Sequence, residues 1–460
     1  MSSLASCIKP VEIGSVDKRG KYTVCIIGCE ENSAFHAYLF LEAGFKVVCV
    51  DANQTVVNQL SNGKAPFLKR EIELKLKNHA KTGCLRATND VRTAVSQSDV
   101  VAIALPVKLD NKKKADYAGL ESTCKHVGSS LRRGSLVIVM SITGIGVTEG
   151  MIKDILENTS GFKVDADFGL AYSPLCIGNE EVAGCKRIVA ANDKDTLSTA
   201  TAVLGTIAKN GLRTTGDIKT AEATVLFELA QQDVDLALAN ELAIFCEKAG
   251  IDYLEVQKLM EHDHRCASPM PTLADTTGRD GAYLLLDDAE NLDVKFRIPA
   301  IAKDVNDEVV KHAVALTREA LRDCGKTLRR ARIVLLGLSQ SPNMKSLAKK
   351  TVREFAKMLE AKGARISLYD PYFSTDELVE MQLHGSKNLA ESIENMDCII
   401  VSTGHGLFKR LDLRKVKVVV KMPAAIVDLE GIFEPRNVEK EGFIYRGLGR
   451  GVWAKRKNLV

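Results

Sequence analysis

The chain has 460 residues, 45% of them hydrophobic and 27% charged, with a formal net charge of +4. That length exceeds one core, so two or three domains are expected, and the composition is ordinary for a soluble globular protein. A charge this small does not argue for a nucleic-acid partner, no apolar run is long enough to span a bilayer, and the basic residues near the end (Arg446, Arg450, Lys455, Arg456, Lys457) read as a solvated tail. The twelve cysteines are scattered and form no C-x-x-C pair. Without a secretory signal, they read as reduced thiols in a cytoplasmic setting. Residues 1–20 lack an apolar signal core and are expected to form a short, partly disordered leader.

The stretch from Tyr22 to Asp51 predicts a buried strand over Thr23–Ile27, a tight turn at Gly28, a helix over Asn32–Ala43 and a second strand over Lys46–Val50 ending in an acid. This is a βαβ unit with an incomplete G-x-G-x-x-G fingerprint: Gly28 is present, but Glu30 and Ser33 occupy the other two glycine positions. Asp51, about 20 residues after Gly28, stands where an acid accepts the ribose hydroxyls of NAD; a surface or helix-capping acid is the plainer alternative. Glu30 and Glu31 put two carboxylates where a pyrophosphate would sit, which predicts weak NAD binding or none.

Further strands are expected at Ser98–Leu105, Ser135–Met140, Asp167–Tyr172 and Arg187–Ala190, with helices at Gln54–Asn62, Tyr117–Leu131 and Thr148–Glu157 between them. From Lys219 to Gly250 the pattern is one long helix, apolar over a wide face, which predicts a partner domain or second subunit; helices continue at Ile251–Met260 and Ile298–Ala315. From Ala331 the α/β alternation returns, with strands at Ala331–Leu336, Arg365–Asp370, Cys398–Ser402 and Val416–Val420 and a helix at Leu347–Ala361. The expected fold class is α/β: two Rossmann-like doubly wound parallel-sheet domains, 21–212 and 326–460, joined by a helical central domain, 213–325.

Several stretches taken together resemble the UDP-glucose/GDP-mannose dehydrogenase family, nearest its UDP-N-acetylmannosamine and UDP-N-acetylglucosamine dehydrogenases. They are DVVAIALPVKLDNKKKADYAGLE, DFGLAYSP, TAEATVLFELAQQDVDLALANELAIFCEKAGID, IPAIAKDVNDEVVKHAV, YDPYF and GFIYRGLGRG. The resemblance implies NAD in the first domain, a UDP-sugar ligand, a dimer on the central helix and a four-electron oxidation of a sugar CH₂OH to a carboxylate. It also implies a cysteine nucleophile, a lysine and an asparagine that stabilise the oxyanion, and a glutamate and an aspartate that handle protons and water.

Carried over residue by residue, the chemistry-bearing positions are replaced. The cysteine falls on Thr276 or Thr277, and the nearest thiol, Cys266, lies about ten positions early and reads as an ordinary small cysteine. The lysine falls on Val225, the asparagine on Leu229 and the glutamate on Leu175; Asp280 is a possible remnant of the aspartate, or a loop acid. A turn threonine falls on Ile142. In the last domain the lysine, paired acids and arginine fall on Ser341, Lys345, Ser346 and Ala348, and an Asp-Gly-Arg-Asn segment reads Asp428-Leu429-Glu430-Gly431. The sequence therefore points to a family homologue without the parent reaction, serving as a binding, regulatory or scaffold subunit, homodimeric or paired with an active paralogue. An NAD-dependent oxidoreductase with altered chemistry on a nucleotide-linked sugar is the alternative.

Overall fold

The computed structural model describes residues 8–29, 31–65, 68, 70–175, 186–261, 269–273, 281–345 and 348–451. The chain divides into two compact units, Met1–Ala230 with Arg279–Lys295 and Gln231–Gly278 with Phe296–Val460.

In the first unit, ten strands follow one another: β1 (Thr23–Ile27), β2 (Lys46–Val50), β3 (Leu85–Thr88), β4 (Val100–Ile103), a two-stranded hairpin of β5 (Lys108–Leu109) and β6 (Ala115–Asp116), β7 (Leu136–Val139), β8 (Gly169–Tyr172), β9 (Arg187–Ala190) and β10 (Leu212–Thr215). All but the hairpin join one eight-stranded sheet in the order β10-β9-β8-β7-β4-β1-β2-β3. Its neighbours run parallel except β8 and β9, which meet antiparallel at Tyr172 and Ala190. The central strands are continuous apolar runs because helices cover both faces; Val24, Val100–Ile103 and Val137–Val139 are fully buried. The order reverses between β1 and β4, which makes the carboxyl ends of those strands the switch point where doubly wound sheets hold ligands.

Residues 8–20 form two short helices, Pro10–Ile13 and Val16–Arg19, with Ile8 and Ile13 buried in the core of the first unit. Arg19 fastens them by donating to the carbonyls of Ile13 at 2.6 Å and Ala43 at 3.0 Å. Residues 1–7 lie outside the described residues.

The second unit carries β11 (Arg332–Leu336), β12 (Arg365–Tyr369), β13 (Cys398–Val401), β14 (Ala425–Asp428) and β15 (Ile444–Gly447) in an all-parallel sheet ordered β12-β11-β13-β14-β15. Its switch point lies between β11 and β13. Val416–Val420, expected as a strand, belongs instead to the helix Leu413–Val419. Asp412 caps that helix by accepting from the Arg414 amide at 3.1 Å, and the segment lies between parallel neighbours β13 and β14, whose crossover a helix serves. Tertiary context overrides the β propensity of its valines.

One helix, Ile218–Ala249, contributes to both units. Over its second half its buried face carries a ladder of polar residues seven apart. Asp233 pairs with Lys303 at 2.7 Å, Asn240 donates to Asn306 at 3.1 Å, and Glu247 meets His312 at 2.8 Å, all toward the helix Arg297–Asp323. Phe227, Leu238 and Phe245 stand on another face and are exposed. Three large apolar side chains thus face outward on a helix whose buried face, with Leu226, Leu229 and Leu236, is otherwise mainly apolar.

Candidate functional site

At the first switch point, Gly28 turns the chain with φ +87°, and a Cβ there would come within 2.9 Å of Leu105 and 3.0 Å of the Ala104 carbonyl. Only glycine serves at this position. The next amide, Cys29 N–H, is not directed at a ligand; it donates to Asp51 Oδ2 at 2.9 Å. Asp51 Oδ1 accepts from the Asn53 amide at 2.8 Å, so both carboxylate oxygens already hold backbone donors. Ser33, at the third glycine position, is buried in the contact between helix and sheet, so a small side chain is tolerated there. Position 30 lies outside the described residues, and Glu31 opens the helix Glu31–Glu42. These residues fit the turn and the ribose end of a dinucleotide, and one amide of the turn is already taken by Asp51.

The loop after β7, residues 141–148, presents a run of backbone donors beside the sheet. Acidic and phenolic groups of the protein take four of them. Gly144 N–H donates to the Tyr117 hydroxyl at 2.9 Å, Ile145 N–H to Asp288 Oδ2 at 2.8 Å, and Gly146 N–H and Thr148 N–H to Glu222 at 2.6 and 2.9 Å. Thr143 adds its hydroxyl to Glu222 at 3.0 Å. A concave run of amides is a ready anion cradle, and here Glu222 and Asp288 are its anions. Burial pushes the Glu222 carboxyl above the usual carboxylate range, against the pull of those hydrogen bonds. Burial raises Asp288 as well, and pushes the Tyr117 phenol up to about 12. The helix that follows opens with a wide π-type turn, Ile152 N–H reaching Val147 O at 3.0 Å.

The positions expected to carry chemistry are apolar and packed. Val225 and Leu229 on the long helix are 9% and 4% exposed. Leu229 sits so close to Gly281 that a Cβ on the glycine would come within 2.2 Å of Leu229 Cδ1. Leu175 packs against the core of the first unit, its amide bonded to the Met140 carbonyl at 2.9 Å. Thr276, Thr277, Asp280 and Cys266 lie outside the described residues. Glu222, one turn before Val225, escaped the sequence reading. The available signal was an acid on the apolar face of a helix, a position an unpaired carboxylate does not hold.

In the second unit Gly337, with φ +105°, makes the matching turn after β11 against Thr403. Asp370, at the end of β12, accepts the amides of Leu338 and Ser339 at 2.7 and 2.9 Å and the Ser339 hydroxyl at 3.0 Å. The fully buried His405 lies 3.1 Å from the same carboxylate, while its Nδ1 takes the Asn343 amide at 2.9 Å. That pattern puts the ring proton on Nε2, facing Asp370. Burial raises the Asp370 carboxyl, but His405 and the two amides outweigh it and hold the group below the usual range. With both ring nitrogens engaged, His405 braces the turn and is not poised as a base.

Two doubly wound sheets, each with a glycine turn and an acid closing the neighbouring strand, define an α/β protein of the Rossmann-like, nucleotide-binding class. Family models make the assignment specific: the NAD binding domain of the UDP-glucose/GDP-mannose dehydrogenase family matches residues 22–205, its central domain 219–308 and its UDP binding domain 334–435. The chain belongs to this family. It is 27% identical over 427 residues to the UDP-N-acetyl-D-mannosamine dehydrogenase of Pyrococcus horikoshii, covering 90% of this chain and 96% of that one. It is 24% identical over 440 residues to the UDP-glucose 6-dehydrogenase of Rhizobium meliloti, covering 93% and 99%. The solved UDP-D-ManNAc dehydrogenase of P. horikoshii superposes with a TM-score of 0.81 at 26% identity, covering 94% of this chain and all (100%) of that one. Among the described residues no helix is long and apolar enough to cross a membrane, and no cluster of three or more His, Cys, Asp or Glu could hold a metal ion.

Proposed function

We propose that this chain is a nucleotide-sugar dehydrogenase homologue that does not perform the four-electron oxidation and works in the cytoplasm as a binding, regulatory or scaffold subunit. The observation that carries the reading is the burial of Val225 and Leu229, with Leu229 seated on Gly281, where the family resemblance puts the oxyanion-stabilising lysine and asparagine. A buried leucine locked against a glycine leaves no place for a polar group, and loss of one transition-state donor alone costs about 10²–10³ in rate. The test is NADH production with UDP-N-acetylmannosamine, UDP-N-acetylglucosamine and UDP-glucose. The expected result is no turnover above background; robust turnover on any of them overturns the reading.

The capture of the Cys29 amide by Asp51 supports weak NAD binding or none. Calorimetric titration is expected to give no saturable heat at micromolar NAD; a low-micromolar dissociation constant contradicts it. The exposed Phe227, Leu238 and Phe245 support a dimer built on the long helix, with a second copy or with an active paralogue. Light scattering is expected to report a dimer that Phe245→Glu dissociates, and a wild-type monomer counts against the homodimer. A second reading is an NAD-dependent oxidoreductase with altered two-electron chemistry on a nucleotide-linked sugar. Tyr117 and Asp288, protonatable groups side by side at Gly144, favour it. Saturable NAD binding together with reduction in the presence of a sugar nucleotide would select it.

A further inference from the structure

The amino-terminal edge of the second sheet carries a row of cations that the fold does not balance. Arg332 and Arg365 open β11 and β12 and stand opposite each other in the parallel register, on strands about 4.8 Å apart. Arg330 donates its amide to the Gly363 carbonyl at 2.7 Å, and the Arg329 side chain lies against the same glycine, next to Lys362. Lys421, on the approach to β14, is tied to this edge by its carbonyl, which accepts from Lys326. Arg329, Arg330, Arg332, Lys362, Arg365 and Lys421 are all exposed, and among the described residues none of these side chains forms an ion pair. The nearby acids do not offset them. Asp397 is held by Lys326 at 2.7 Å and by the Arg332 amide at 2.9 Å, while Glu360 and Glu394 stand exposed at the margins. Like charges set opposite each other across a strand pair are destabilising, so the edge carries a repulsion that an outside anion relieves.

Doubly wound sheets hold nucleotides at the carboxyl ends of their strands, where Gly337 turns the chain, so this opposite edge is no part of that site. We propose that it is a docking surface for an acidic segment of another protein. Four of the six cations are arginines, whose planar guanidinium groups grip a carboxylate by both oxygens. A single-stranded nucleic acid would need aromatic faces for its bases, and residues 326–332, 360–365 and 419–423 contain no aromatic side chain. Next to Lys421 the helix Leu413–Val419 ends with Val418 83% and Val419 38% exposed, an apolar contact at one end of the row. The segment that fits carries several carboxylates and an apolar side chain beyond them. This goes beyond the loss-of-activity reading and does not depend on it, because it stands on the edge alone.

The test is fluorescence anisotropy of a dye-labelled, glutamate-rich peptide with one leucine at its end, titrated with the full-length chain. Saturable binding is expected at low salt, weakening as salt rises. The triple reversal Arg329→Glu/Arg332→Glu/Arg365→Glu is expected to weaken it at least roughly tenfold. Reversal of three exposed lysines of the first unit, Lys81→Glu/Lys125→Glu/Lys194→Glu, changes the net charge equally and is expected to leave the affinity within roughly twofold. The single exposed changes Arg332→Ala and Arg365→Ala, each expected to cost roughly threefold, keep the question answerable if the triple variant folds poorly. Val418→Ser is expected to weaken the leucine-bearing peptide and leave a leucine-free one unchanged. Absence of binding, or equal losses in the two triple variants, overturns the proposal. So does tighter binding of a single-stranded oligonucleotide or of anionic lipid vesicles than of the peptide, since either reassigns the edge to another kind of partner. NADH production is not the readout, so the loss-of-activity reading can fail while this one stands, and the reverse.

Discussion

The loop after β7 in the first unit and the turn after β11 in the second solve the same problem with opposite electrostatics. Each is a run of backbone amides at the carboxyl edge of a sheet, and each is satisfied by a buried acid of its own unit. Glu222 takes two amides and a threonine hydroxyl, yet burial still leaves it above the ordinary carboxylate range. Asp370 takes two amides and a serine hydroxyl, and with His405 added it falls below that range. The donor sets are nearly matched, so the histidine decides the sign: a fixed donor with partial positive character compensates a desolvated carboxylate where neutral amides alone do not.

The comparison breaks most readily at its second half. His405→Ala removes that donor from a buried carboxylate, with an expected cost of about 3 kcal/mol. Hydrogen exchange should rise in residues 337–343 and stay unchanged in 143–148; a uniform rise would mean that the brace is not local. Next comes Glu222→Ala, which strands three donors, two of them buried, and is expected to cost about 2 kcal/mol, the exchange pattern now reversed between the two segments. A smaller effect, about 1.5 kcal/mol, is expected from Gly281→Ala. A helix normally gains from that change, so a loss measures the contact with Leu229, and a coupled Leu229→Ala should recover part of it; additive effects would show the two positions to be independent.

The smallest expected effect is the pH response, and it tests the sign directly. Asp370 has a lowered folded value, so its stabilisation is present above the ordinary carboxylate value near 4 and fades as pH falls through the folded one. Glu222 has a raised folded value, so its stabilisation is full below about 4 and fades as pH rises through the folded one. Exchange rates corrected for intrinsic chemistry should therefore move in opposite directions in the two segments: acid loosens 337–343 and protects 143–148. Parallel changes would refute the assignment of either acid.

Much of the sheet architecture was legible in the chain. The strands Thr23–Ile27, Lys46–Val50 and Arg187–Ala190 stand where their apolar runs predict, because a strand covered on both faces has only its hydrophobicity to announce it. Leu85–Thr88 and Leu212–Thr215 gave no such signal: both are edge strands of four residues with exposed polar side chains. Val416–Val420 misled by its run of valines, which a capped crossover helix absorbs. At the site, the apolar character of Val225 and Leu229 was legible, but what they pack against was not. Glu222 against the 141–148 loop and Glu430 against Lys349 are pairs 74 or more residues apart in the chain, joined only by folding. No local spacing encodes a contact of that kind.

The inward ladder of Asp233, Asn240 and Glu247 gives the long helix a vernier. Apolar ridges tolerate sliding, since one leucine is much like the next. An ion pair, an amide pair and an acid–imidazole pair tolerate none, because a shift of one turn sets each group opposite a partner it does not match. Helices Ile218–Ala249 and Arg297–Asp323 are thus locked in a single register by recognition between unlike rungs. A surface displayed on the outer face of that helix, Leu238 and Phe245 included, is then offered at fixed height and fixed rotation, like teeth on a key whose shaft cannot turn.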